Sequence, residues 1–344
     1  MIFHEAVSLS QLDLLDGPEV IAWPHALYRR LREQGAVLWL PTNGAWVITR
    51  HAAVQQALCD EGFAPLAASA PSLGTPRSAE MARPRALTAD DWLEALAAEQ
   101  VQSHLIRPYK RVMRRRAEER LVQLAGWRGI DAMSQLITPI LTAVATDLAR
   151  TTPPAPQLDH DATAELIGPS DSTELAAPRS GSGGGNVVAD ALGNVVALLA
   201  TRPALWQLLL GNRDRVPAAV AECLRLAPPL HWASRVTTRL VRLGGAEIPA
   251  HSRVLILLAS AYRDERHWVD PEAFRLDRPL MGHHRPPTVT FTWDNSLLRL
   301  QAEALVHAML DHLAHMELAG PSLPRIHRAH RGHLDLPICL IPHL

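Results

Sequence analysis

The sequence has 344 residues, of which 47% are hydrophobic and 20% charged, a balance that supplies a packed core and excludes a chain held disordered by its own charge. Its 34 basic and 35 acidic residues leave a formal net charge of −1, which argues against a nucleic-acid partner, because such a partner selects for a basic face. No apolar run reaches membrane-spanning length, the N-terminal Met1-Ile-Phe-His-Glu has no basic segment followed by an apolar one, and Cys59, Cys223 and Cys339 have no paired spacing, so a reduced, cytoplasmic protein without a membrane partner is expected.

In chain order, Trp23-Pro24-His-Ala-Leu-Tyr-Arg-Arg-Leu reads as an amphipathic helix with Leu27, Tyr28 and Leu31 on one stripe. Gly35-Ala-Val-Leu-Trp-Leu and Ala45-Trp-Val-Ile-Thr-Arg50 alternate as strands around Pro41-Thr-Asn43-Gly44, whose Asn-Gly is a strong hairpin signal, and His51 to Leu58 is the next helix. The Pro-, Ala- and Ser-rich stretch from Phe63 to Pro84 is a loop, and Trp92 to Leu121 reads as one or two helices. The basic run Arg111 to Arg116, followed by Glu118-Glu119, fits a solvated helix face. Met133 to Leu148 carries an apolar stripe, and Pro153-Pro154 stops it.

Residues 151–185 are irregular. Four glycines, Gly181, Gly183, Gly184 and Gly185, each cost about 1 kcal/mol relative to Ala in a helix interior. The next helix is therefore expected to start at Asn186, a good N-cap, and to run through Gly193-Asn194 to Leu199. Ser182-Gly-Gly-Gly-Asn could also be read as a phosphate-cradling loop, but no Lys-Ser/Thr follows it.

The stretch around which the chain is organised is Val220-Ala-Glu222-Cys-Leu-Arg225-Leu-Ala-Pro228-Pro229. Glu222 and Arg225 sit three apart on a helix that the prolines end. Arg235, Gly244-Gly245, the strand-like Val254-Leu-Ile-Leu-Leu, Arg263-Asp264 and Pro271-Glu-Ala-Phe-Arg-Leu-Asp-Arg278 follow in that order.

This order and spacing resemble the cytochrome P-450 superfamily, the haem-thiolate monooxygenases. The resemblance implies one domain over 1–344, mainly α with small antiparallel β-sheets, a shortened P-450-like fold. It implies a buried network of Glu222, Arg225 and Arg278. It also implies an oxygen-activating acid and hydroxyl on the central helix, which align here with Asn186 and Val187; Asn186 cannot ionise and Val187 has no hydroxyl. The haem-propionate positions fall on His104, Arg107 and Arg235, but the spacing of His104 from Arg107 is not the family's.

The cysteine loop departs furthest from the family. Only seven residues separate Phe291 from Arg299, and the loop that brings the haem thiolate is absent. Cys223 and Cys339 read as small buried hydrophobes rather than iron ligands. His283-His284 could substitute as a haem ligand, and His327, His330 and His333 could bind metal, although loop and strand explain the latter set. Within the superfamily the pattern is similar to haemless auxiliary proteins that bind, stabilise and activate a deoxysugar glycosyltransferase of antibiotic biosynthesis. That implies no cofactor, no catalytic residue, and a transferase as hetero-oligomeric partner. An oxidoreductase holding haem through His283 or His284 is the rival reading, and a decayed copy is a third. Candidate partner faces are the helix bearing Trp23 and Tyr28 and the region Met133 to Leu148.

Overall fold

The computed structural model describes residues 12–15, 17–65, 103–151, 187–278, 296–327 and 329–343. After α1 (Pro18–Ala22), the helix α2 (Pro24–Gln34) begins with proline, whose fixed φ suits a first turn, and buries Leu27, Tyr28 and Leu31. The strands β1 (Val37–Leu40) and β2 (Ala45–Ile48) pair antiparallel, with Leu40 opposite Ala45. Gly44 at φ 54° closes the turn between them, a left-handed backbone that a side chain would strain.

Next come α3 (His51–Cys59) and β3 (Phe63–Pro65). Later strands β5 (Ala233–Thr237) and β8 (Arg253–Ile256) complete a five-stranded sheet in the order β1-β2-β8-β5-β3, in which β2 and β8 run parallel. Between them β6 (Val241–Leu243) and β7 (Ala246–Ile248) form a hairpin over Gly244 and Gly245, both at positive φ. The short α9 (Leu258–Ala261) follows β8.

The helical part begins with α4 (Ser103–Leu124), then β4 (Gly129–Asp131), a π-helical turn (Ala132–Ile137) and α5 (Thr138–Thr151). Asp131 caps the turn by accepting from the backbone N–H groups of Met133 and Ser134. The apolar stripe from Met133 is thus wound as π-helix before it becomes α-helix. Met133, Leu136, Ile137, Ile140, Leu141 and Val144 are all buried, so the apolar stripe is core, and the exposed side of the stretch carries Ser134, Thr138 and Thr142. The other candidate face divides: Trp23 is 73% exposed, whereas Tyr28 is wholly buried.

The central helix α6 (Val187–Ala200) is apolar on nearly every side and buried on nearly every side, as a core helix must be. Gly193 lets it approach the π-helical turn, since a Cβ there would lie 2.6 Å from the Met133 sulfur. Helices α7 (Pro203–Gly211), α8 (Val216–Leu226) and α10 (Ser296–His312) pack around it. Among the described residues no single helix is long and apolar enough to cross a membrane; α6 and α7 pass that test only together, across a 98° bend.

The chain closes with β9 (Leu313–Leu318), the hairpin β10 (Leu323–His327) and β11 (His330–Asp335), and β12 (Pro337–Pro342), which lies between β4 and β9. Of the cysteines, Cys223 is buried as expected, but Cys339 is only partly covered, because β12 carries one face of a three-stranded sheet toward solvent. Residues 92–102 and 152–186 lie outside the described residues, including the first part of the expected Trp92–Leu121 helix and the glycine-rich loop.

Candidate functional site

The helix α8 delivers Glu222 and Arg225 to one face, each under 5% exposed. Arg225 grips the carboxylate with two prongs: Nε donates to Oε1 at 2.8 Å and Nη2 to Oε2 at 2.9 Å. Its remaining donors reach the carbonyls of Tyr262 (3.0 Å), Pro271 (2.6 Å) and Ala273 (3.0 Å). Arg278 adds Nε to Glu222 Oε2 at 3.2 Å and donates to the carbonyls of Val269 and Asp270. The backbone N–H of Arg275 completes the shell around Oε2 at 3.0 Å.

Every group of this network finds a partner, and the Trp268 ring packs beside both guanidinium groups, 5.4 and 5.7 Å from its centroid. Burial alone would raise the Glu222 pKa, but the Arg225 hydrogen bonds, the Arg275 amide and the two positive charges outweigh it and hold the carboxyl below its ordinary value. Chemically this is a clamp. It fastens the irregular segment Tyr262 to Arg278 onto α8, and its donors are spent on that segment's carbonyls and on Glu222.

The other expected positions do not assemble around it. Arg235 is buried in β5, where Nη1 donates to the carbonyl of Ser234 at 2.8 Å. Val187 is the first described residue of α6 and is buried. His104 and Arg107 fall in the opening turns of α4, and their side chains lie outside the described part, as do Asn186, His283 and His284. His330 is buried and His333 half-buried in β11; among the described residues no group of three or more His, Cys, Asp or Glu is placed to hold a metal.

All three cysteines of the sequence are described, which allows a test of the haem that the fold implies. Cys223 is enclosed in the helical core, and burial pushes its thiol up to about 12, so it stays protonated. Cys59 ends α3 at the surface, and Cys339 sits opposite Gly129 and Glu317 in the three-stranded sheet. None is offered from a loop ahead of α10. The donor set does not fit a thiolate-bound haem.

Two features went unremarked in the sequence. Asp190 is wholly buried in α6, and its signal was a lone acid inside Val187-Val-Ala-Asp-Ala-Leu. Tyr28 and His231 are hydrogen-bonded at 3.2 Å with the His25 ring beside them. Burial, aided by Arg263, Arg32 and Arg331, lowers His25 to about 3, so this cluster stays neutral. Partners distant in sequence gave no signal for it. On α4 the basic run is an ion-paired outer face: Arg114 meets Glu118 and Asp311, while Arg115 and Arg116 share Asp147.

A family model for cytochrome P450 matches residues 210–291, the segment that holds the whole clamp. The substrate-free structure of Mycobacterium marinum cytochrome P450 CYP150A6 superposes with a TM-score of 0.71 over 98% of this chain and 100% of that one, at 22% identity. The chain has a cytochrome P450-like fold. Two relatives align with it over most of its length. Protein AknT of Streptomyces galilaeus is 27% identical over 88% of this chain and 85% of its own, and Protein DesVIII of Streptomyces venezuelae is 28% identical over 92% and 85%.

Proposed function

We propose that this P450-like chain is a non-catalytic auxiliary protein that binds, stabilises and activates a deoxysugar glycosyltransferase in antibiotic biosynthesis. The observation that carries this reading is the pairing of an intact Glu222–Arg225–Arg278 clamp with a set of three cysteines none of which is positioned for iron. The scaffold is kept and the catalyst is not. The likeness to AknT and DesVIII along most of the chain supports it, since it runs well beyond the segment that the P450 family model matches. The partner class comes from the resemblance to haemless auxiliary proteins, because a fold by itself does not determine what a protein does.

Activation needs no chemistry from the auxiliary chain. A partner that binds only the competent form of the transferase raises the population of that form in proportion to its differential affinity. The test is co-expression with the glycosyltransferase encoded in the same pathway. Soluble transferase and its turnover should rise together when this chain is present. If both stay unchanged, the activator reading fails. If the purified chain given haem develops a strong Soret band and oxygenates a substrate, the oxidoreductase reading replaces it.

A further inference from the structure

Asp190 lies in the first turn of the described part of α6, wholly buried beneath the hairpin β10–β11. Among the described residues neither of its oxygens receives a hydrogen bond. Arg325 of β10 brings Nη1 to 3.4 Å from Oδ1, and His330 of β11 brings Nδ1 to 3.9 Å from Oδ2. His333 of β11 faces the next turn of the helix beside Gly193, and the π-helical turn contributes only the uncharged Met133 there. The hairpin comes this close because position 332 is glycine: a Cβ would stand 2.2 Å from Asp190 Oδ1.

We propose that Asp190 is a proton-controlled latch for this hairpin: the neutral carboxyl keeps β10–β11 seated on α6, and ionisation lets water in and the hairpin lift. An ionised carboxylate without hydrogen bonds is costly in a closed interior, and lifting the strands hydrates it. Arg325 alone pulls the other way. Burial wins that contest and pushes Asp190 up to about 6, so the closed state holds the proton more tightly than the open one. Closure is therefore fully supported in acid and loses support as the pH rises through about 6.

β11 is held at its turn end: the Arg331 N–H donates to the Pro229 carbonyl and the His231 N–H to the Ala329 carbonyl, each at 2.8 Å, Leu230 bridges His330, and Asn194 of α6 donates to the Arg331 carbonyl at 3.1 Å. Beyond its other end the Leu336 N–H donates to Asp131 at 2.8 Å. Opening is thus confined to β10 and to β11 from Gly332 onward, the stretch against Asp190 between these anchors.

Hydrogen exchange on the full chain tests this, read as protection factors for residues 323–335 between pH 4.5 and 7.5 with β8 as internal control. The wild-type hairpin should lose protection by up to about thirtyfold across that range. Asp190→Asn should be flat, and Arg325→Gln should move the midpoint to higher pH, a shift that a purely structural arginine would not cause. A flat wild-type profile overturns the latch, as does an unmoved midpoint in Arg325→Gln or an unchanged pH dependence in Asp190→Asn. Should Asp190→Asn not fold, the wild-type profile and the Arg325→Gln midpoint still decide.

Discussion

Glu222 and Asp190 are both carboxylates on buried helices, 4% and 0% exposed, and their proton affinities move in opposite directions. Glu222 has a bidentate arginine, a second arginine and a backbone N–H on its two oxygens. Asp190 has one guanidinium at 3.4 Å and no hydrogen bond among the described residues. Both are closed off from bulk water; the number of donors differs. Burial thus makes a charge costly, while the hydrogen bonds around it decide which way its proton affinity moves.

The largest effect should come from breaking the satisfied site. Arg225→Ala leaves Glu222 buried with half its donors gone and removes the arginine's hydrogen bonds to the Tyr262, Pro271 and Ala273 carbonyls, and denaturant unfolding at pH 7 should show a loss of about 3–5 kcal/mol. Because the folded state lowers the Glu222 pKa, the stability this carboxylate contributes is present above its ordinary value and disappears as the pH falls through its folded value. The deficit of the variant should accordingly shrink in acid.

Relieving the unsatisfied site should have the opposite sign and a smaller size. Asp190→Asn removes the ionisation without changing the shape, and at pH 7 thermal or denaturant unfolding should show a gain of up to about 3 kcal/mol. Below the ordinary aspartate value the gain should vanish, since the wild-type carboxyl is then neutral in both folded and unfolded chains. An equal gain at pH 3 and pH 7 would mean that charge is not its cause.

The smallest effect is expected where solvent replaces both kinds of environment. Arg114 makes two close ion pairs, with Glu118 and Asp311, yet all three side chains are more than a third exposed. Arg114→Ala should cost under about 0.5 kcal/mol and lose even that in high salt. A cost comparable to Arg225→Ala would show that pair distance, not burial, ranks these sites.

Local pattern made much of this legible in advance. The α2 stripe, the Asn43-Gly44 hairpin, the helix past Asn186 and the Glu-x-x-Arg helix each rest on interactions within about ten residues, where periodicity and turn chemistry speak directly. The π-helical start of the Met133 stretch was not legible, because an apolar stripe in so short a run does not distinguish a wider turn from an α-helix. Nor was it legible that Tyr28 of α2 reaches the core while Trp23, just ahead of that helix, stays exposed.

By itself the sequence determined the order of elements, the Glu222–Arg225–Arg278 signature and the loss of the cysteine loop, since all three are written in residue type and spacing along the chain. Tertiary structure alone decided the state of each buried charge. Glu222 is ionised by groups 3 to 56 residues away, and Asp190 is pressed by a hairpin 135 residues further on, at a glycine that admits it. Electrostatic energy depends on distance through space and on what water is excluded, and neither quantity exists until the chain has folded.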